Sequence, residues 1–251
     1  MDIWTFLIVC PLVGLAGFID AIAGGGGLIS LPAYLIAGLP PHAAIGTNKF
    51  GSCCGTVVAT WQFARHGFIR WKQAVPAVAL ALVGSWLGAR LALMVDPGTF
   101  KIIMLIILPL TGVYVLNKKA LQASNPPYSV RRTMLIVALL SFVIGVYDGF
   151  YGPGTGTFLM LLLTAVAHVS LNEAAGLTKV INLSTNVAAL VVFLTHGVVW
   201  MPLALAAAAF SVVGNYMGAK YFVSKGTGFV KPVIIIVLSL FFVKLCYELF
   251  I

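Results

Sequence analysis

Charge is what this sequence has least of. Only 8% of its 251 residues are Asp, Glu, Lys or Arg, about a third of the share found in soluble domains. With 61% hydrophobic residues, such a chain cannot clothe a water-facing surface. That excludes a soluble globular protein and predicts an integral membrane one. Acidic residues are scarcest, 6 against 15 Lys and Arg, for a net charge of +9. In a membrane protein this excess reports loops lying on anionic lipid, so membrane lipid is an expected partner and nucleic acid is not. Cysteine is sparse too. Cys10, Cys53, Cys54 and Cys246 sit in apolar segments without metal-ligand spacing, which predicts free thiols and neither metal nor cofactor. A basic n-region is missing at the start, where Asp2 precedes an apolar run from Ile3. The run therefore reads as a first membrane helix and not as a cleaved signal.

Apolar segments fill the chain at about 4–23, 28–38, 43–64, 74–95, 100–116, 133–151, 157–168, 173–195, 201–223 and 229–251. The segment at 28–38 would reach roughly half-way across a 30 Å hydrocarbon core at 1.5 Å per residue, and 157–168 is as short. A polar stretch over 117–132 carries Lys118, Lys119, Arg131 and Arg132. It divides the chain into 1–117, a linker at 118–132, and 133–251.

The two parts are a repeat. Asp20 recurs as Asp148 and Gly24 as Gly152, both 128 residues on. Beyond the next loop the offset is 130: Lys49 and Lys179, His66 and His196, Gly84 and Gly214. Gly84-x-x-x-Gly88 matches Gly214-x-x-x-Gly218, and both read as notches for close helix packing. The loop after the third segment carries Arg65, Arg70 and Lys72, whereas its counterpart at 196–201 has no Lys or Arg. By the positive-inside bias the first is cytoplasmic and the second external, so the halves face opposite ways. The linker is then inside and both termini outside. The fold class expected is an all-α integral membrane protein. It has two inverted-topology repeats with broken, short helices and about 8 to 10 membrane segments, the plan of secondary transporters.

Each half breaks a helix with glycine, at Gly24, Gly25, Gly26 and Gly27 and again at Gly152, Gly154 and Gly156, with Thr155 between the last two. A helix that stops inside the membrane exposes backbone N–H groups, and such breaks survive only when buried or lining a cavity. The restarting helices are candidate anion cradles with a positive dipole end. The competing account is close helix packing through small residues. A nucleotide loop is excluded, since no Gly-Lys-Ser/Thr follows the glycines. Asp20, Asp148, Lys49 and Lys179 would each cost about 2.5–3.5 kcal/mol inside the membrane unless compensated. Either the aspartates and lysines neutralise each other, or the lysines hold a substrate and the aspartates carry a coupled proton. Ser52 and Thr56 follow Lys49 on one helical face, and Asn182 and Asn186 follow Lys179. An ammonium beside hydroxyl and amide donors suits an oxyanion; interhelical hydrogen bonding is the alternative use.

These residues carry a resemblance. Ile-Asp20-Ala-Ile-Ala-Gly-Gly-Gly-Gly-Leu-Ile-x-x-Pro, Gly46-Thr-Asn48-Lys49, His66-Gly67, the Gly-Pro-Gly-Thr-Gly run from Gly152 to Gly156, and Thr-Lys179-Val-Ile-Asn182 resemble the TauE/SafE sulfite exporter family over nearly the whole chain. The resemblance implies a multi-pass transporter of the bacterial inner (plasma) membrane that exports a small sulfur-containing or organic anion, such as sulfite or sulfoacetate. No enzyme is expected. An anion channel and an intramembrane aspartyl protease using Asp20 and Asp148 are the rival readings. The partners expected are the small anion, lipid and a second copy of the chain as a homodimer.

Overall fold

The computed structural model describes residues 3–96, 98–99 and 128–225. Among these residues the chain is all helical, with eight helices. They are α1 (Ile3–Ala23), α2 (Gly27–Ile36), α3 (Pro41–Arg65), α4 (Trp71–Met94), α5 (Val130–Phe150), α6 (Thr155–Ala165), α7 (Leu171–Thr195) and α8 (Met201–Lys225). The expected segments at 100–116 and 229–251, and most of the linker, lie outside the described residues.

Five helices, α1, α4, α5, α7 and α8, are long and apolar enough to cross a membrane. Helix α3 is as long as α7, 25 residues each, but its middle is polar: Thr47, Asn48, Lys49 and Thr56 are all buried. Its neighbours shelter it, since α3 packs on α7 and α8. Two-thirds of the apolar window of α7 is buried, against 39–44% for the other four spans, so α7 is the second central helix. Both central helices begin two residues earlier than the sequence reading placed them. Pro41 opens α3 with its preset φ, and the Ser170 hydroxyl accepts from the Glu173 N–H to cap α7.

The outer helices exchange partners between the halves. Helix α1 packs along α8, and α4 along α5. Both contacts are made by the paired glycines. A Cβ at Gly84 or Gly88 would collide with the carbonyl oxygens of Phe142 and Val146, and one at Gly214 or Gly218 with those of Gly14 and Phe18. Phe142 and Val146 lie 128 residues beyond Gly14 and Phe18, so the two interfaces use equivalent positions of the repeat. Van der Waals approach of backbones, not apolar burial, holds helices together in lipid.

The short helices α2 and α6, with 10 and 11 residues, rise only about 15–17 Å. Each follows a glycine break that turns the chain back. Gly24 has φ +75°, and Gly152 and Gly154 have +98° and +84°, a region that other residues occupy only at a cost. The two breaks meet: Gly24 lies against Gly156, and Gly27 against Pro153. Thr157 crosses the junction, its N–H donating to the Gly24 carbonyl at 3.3 Å and its hydroxyl to that of Ala23 at 2.9 Å.

Candidate functional site

Where the breaks meet, α1, α2, α3, α5, α6, α7 and α8 enclose a polar pocket of about 40 Å³. One water needs about 10–15 Å³ on this measure, so the space takes about three or four water-sized groups. Its wall holds Asp20, Gly24, Gly26 and Gly27 from the first break, and Asn48, Lys49, Ser52 and Thr56 from α3. The second half supplies Asp148, Gly152, Thr155, Gly156, Asn182 and Asn186. Most of the residues singled out by the repeat therefore converge on one cavity. Gly25, Gly154 and Lys179 do not reach its wall. Gly154 lies against the Phe158 ring instead, and Lys179 is fully buried behind Asp20.

The charges pair across the halves. The Lys49 ammonium donates to Asp148 Oδ2 at 2.6 Å and to Asn186 Oδ1 at 3.2 Å. Lys179 donates to the backbone carbonyl of Asp20, with Asp20 Oδ2 3.6 Å from its Nζ. Each lysine thus faces the aspartate of the other half, and the four charges sum to zero. The pairs are unequal. The Lys49–Asp148 pair is short and closed, with side chains 2% and 6% exposed, whereas Asp20 is 19% exposed.

The helix starts are largely satisfied from within. Asp20 Oδ1 accepts the Gly26 N–H at 3.3 Å, so this carboxylate occupies the N-terminal end of α2 where an anion was expected. The N–H groups of Thr155 and Thr157 go to the Gly152 and Gly24 carbonyls. The polar stripe is knitted across the central helices. Asn186 Nδ2 donates to Thr56 Oγ1 at 3.4 Å, and Thr60 donates to the Lys179 carbonyl at 3.2 Å.

Val13, Ala16, Gly17, Ser30, Ser211 and Asn215 complete the wall, and motif reading passed over all six. Asn215 and Ser211 sit where the repeat places Ser85 and Ala81 in α4, 130 residues back. Ser85 is spent on the Thr185 carbonyl at 2.6 Å, while Asn215 lies over Gly17 and Gly55 beside the pocket. The signal was a polar departure from the repeat, one residue after a packing glycine.

The Sulfite exporter TauE/SafE family model matches residues 9–245. The chain belongs to this family. A relative in Sinorhizobium sp, named "Probable membrane transporter protein ORF9", is 36% identical over 93% of this chain and 88% of its own length. A "Probable membrane transporter protein" of Haemophilus influenzae is 34% identical over 93% of this chain and 91% of its own. The "Probable membrane transporter protein YfcA" of Escherichia coli strain K12 is 33% identical, over 93% and 87%. No solved structure matches the chain. TauE/SafE membership and the five apolar spans make this a multi-pass membrane protein of a transporter family.

Proposed function

We propose that this protein is a secondary transporter that exports a small oxyanion, of the sulfite or organosulfur class, across the bacterial inner membrane. The observation that carries the proposal is the pocket at the junction of the two glycine breaks, polar and built from both halves. Its volume favours sulfite-sized anions of about four heavy atoms over sulfoacetate. Sites at the meeting of two discontinuous helices belong to inverted-repeat transporters. The reciprocal α1–α8 and α4–α5 contacts and the crossed Lys–Asp pairs support an inverted repeat. An inside-negative potential favours exit of a monoanion by about 2.3 kcal/mol per 100 mV.

The test is flux into proteoliposomes with sulfite, sulfate, thiosulfate, sulfoacetate and small carboxylates. Saturable uptake with counterflow of at least one small anion is expected. Flux that never saturates would make the protein a channel, and no flux of any would refute the anion reading.

Orientation is tested separately. His66 and His196 are equivalent, exposed residues at the ends of α3 and α7. After replacement of the native cysteines, His66→Cys should react with an impermeant thiol reagent only from the cytoplasmic side. His196→Cys should react only from outside. Labelling of both from one side overturns the inverted arrangement.

A further inference from the structure

In transporters built on discontinuous helices, the C-terminal end of a half-helix and the carbonyls near the break hold the coupling cation. Such an end carries about −0.5 elementary charge, and hard cations take oxygen ligands. This chain has two such ends, α1 before Gly24 and α5 before Gly152. An ammonium group meets each of them. The Lys49 ammonium lies against Gly152, 3.2 Å from where a Cβ there would stand. Its partners are both oxygens, Asp148 Oδ2 at 2.6 Å and Asn186 Oδ1 at 3.2 Å. An ammonium can only donate, so the Asn186 amide presents its oxygen here. The Lys179 ammonium donates to the Asp20 carbonyl in the last turn of α1, with Asp20 Oδ2 3.6 Å away.

The two places are built alike. Each has an aspartate in the last turn of a broken helix, and a lysine reaching in from a central helix of the other half. Neutralising a carboxylate would need only the carboxylate. Here both ammonium groups also sit at the negative end of a helix that stops short, at equivalent positions of the repeat. A carboxylate, a helix C-terminus and a neutral oxygen make a site for one monovalent cation. The lysine delivers that charge on a tether. With side chains 2% and 0% exposed, neither ammonium is free to exchange with ions in solution.

We infer that Lys49 and Lys179 are tethered replacements for coupling cations, so that the anion is moved without Na⁺ or another soluble cation. Lys49 stands in the pocket wall and presents its charge to the anion as a bound cation would. Because the lysine stays behind, the anion crosses with its own charge only, and the membrane potential acts on all of it. This rests on the transporter reading above and adds its mode of coupling.

The experiment compares media of one ionic strength in which Na⁺, K⁺ or bulky N-methylglucamine is the sole cation. Anion flux through the wild type should be the same in all three. Flux that requires Na⁺ or K⁺ overturns the inference. Lys49→Ala then empties one site. With N-methylglucamine it should be destabilised and inactive, its Asp148 stranded. Na⁺ or methylammonium should raise its Tm by about 5–10 °C at about a hundred times the Kd, and should restore flux. The rise should vanish in Lys49→Ala/Asp148→Asn, which has lost the carboxylate. A Lys49→Ala protein that answers to none of these cations overturns the inference. A rise in Tm without flux makes the lysine a structural counter-ion and overturns it as well. If Lys49→Ala does not fold, Lys179→Ala puts the same question at the end of α1, and the wild-type comparison decides the cation requirement in either case. No anion flux in the wild type refutes the transporter reading, and the unfolding curves then decide the cation site by themselves.

Discussion

Replacing Lys49 by alanine is expected to destabilise the fold by about 3–5 kcal/mol, the cost of leaving a buried partner charge alone, and to abolish anion flux. The stranded group is Asp148, whose carboxylate is 2.6 Å from the ammonium and 6% exposed. The matching double variant, Lys49→Ala with Asp148→Asn, should recover most of that stability, because the uncompensated charge is gone. Lys49→Ala with Asp20→Asn should not, since Asp20 answers Lys179. Thermal unfolding of the single and double variants checks this, and equal rescue by either aspartate would refute the crossed pairing. Flux then separates the two uses of the lysine. A stable Lys49→Ala/Asp148→Asn protein that carries no anion makes Lys49 part of the substrate site. One that transports normally makes the pair structural.

Gly156→Val is expected to abolish flux and lower stability by about 1–3 kcal/mol, the range for forcing atoms into a packed interior. A Cβ there would stand 2.5 Å from the Gly24 Cα and 2.7 Å from the Asn182 amide. It therefore separates the two breaks and displaces a wall residue at once. Gly154→Ala is the informative neighbour. Its nearest contact would be the Phe158 ring at 3.4 Å, outside the pocket, so the remaining cost comes from its φ of +84°. It should lose stability while the folded fraction keeps its flux per molecule. Wild-type flux in Gly156→Val would leave the junction of the breaks without a role in transport.

Much of this was legible because the chain repeats itself. The offsets of 128 and 130 aligned Asp20 with Asp148 and Lys49 with Lys179, and fourteen of the seventeen residues read as site positions line one pocket. What an offset conveys is equivalence, and equivalence says nothing of contact. The pairing of Lys49 with Asp148 depends on how the halves are laid against each other. The helix starts misled for a related reason. Free N–H groups were expected, but the chain brings its own anion, Asp20, to the start of α2. Asn215 was missed because it breaks the repeat, and a search for recurring residues passes over the places where recurrence fails.

The exchange of partners between halves sets a schedule for biogenesis. Gly14 is covered by Phe210 and Gly214 of α8, the latter 200 residues later in the chain. At about 5–20 residues per second that is a delay of about 10–40 s. Val146 follows Gly88 by only 58 residues, about 3–12 s. The face of α1 that packs on α8 therefore lacks its native partner over that interval, and Asp20 waits 159 residues for Lys179. Helix α1 meets α2 and α3 early, but its most extensive partner, α8, is the last of the described helices to be made.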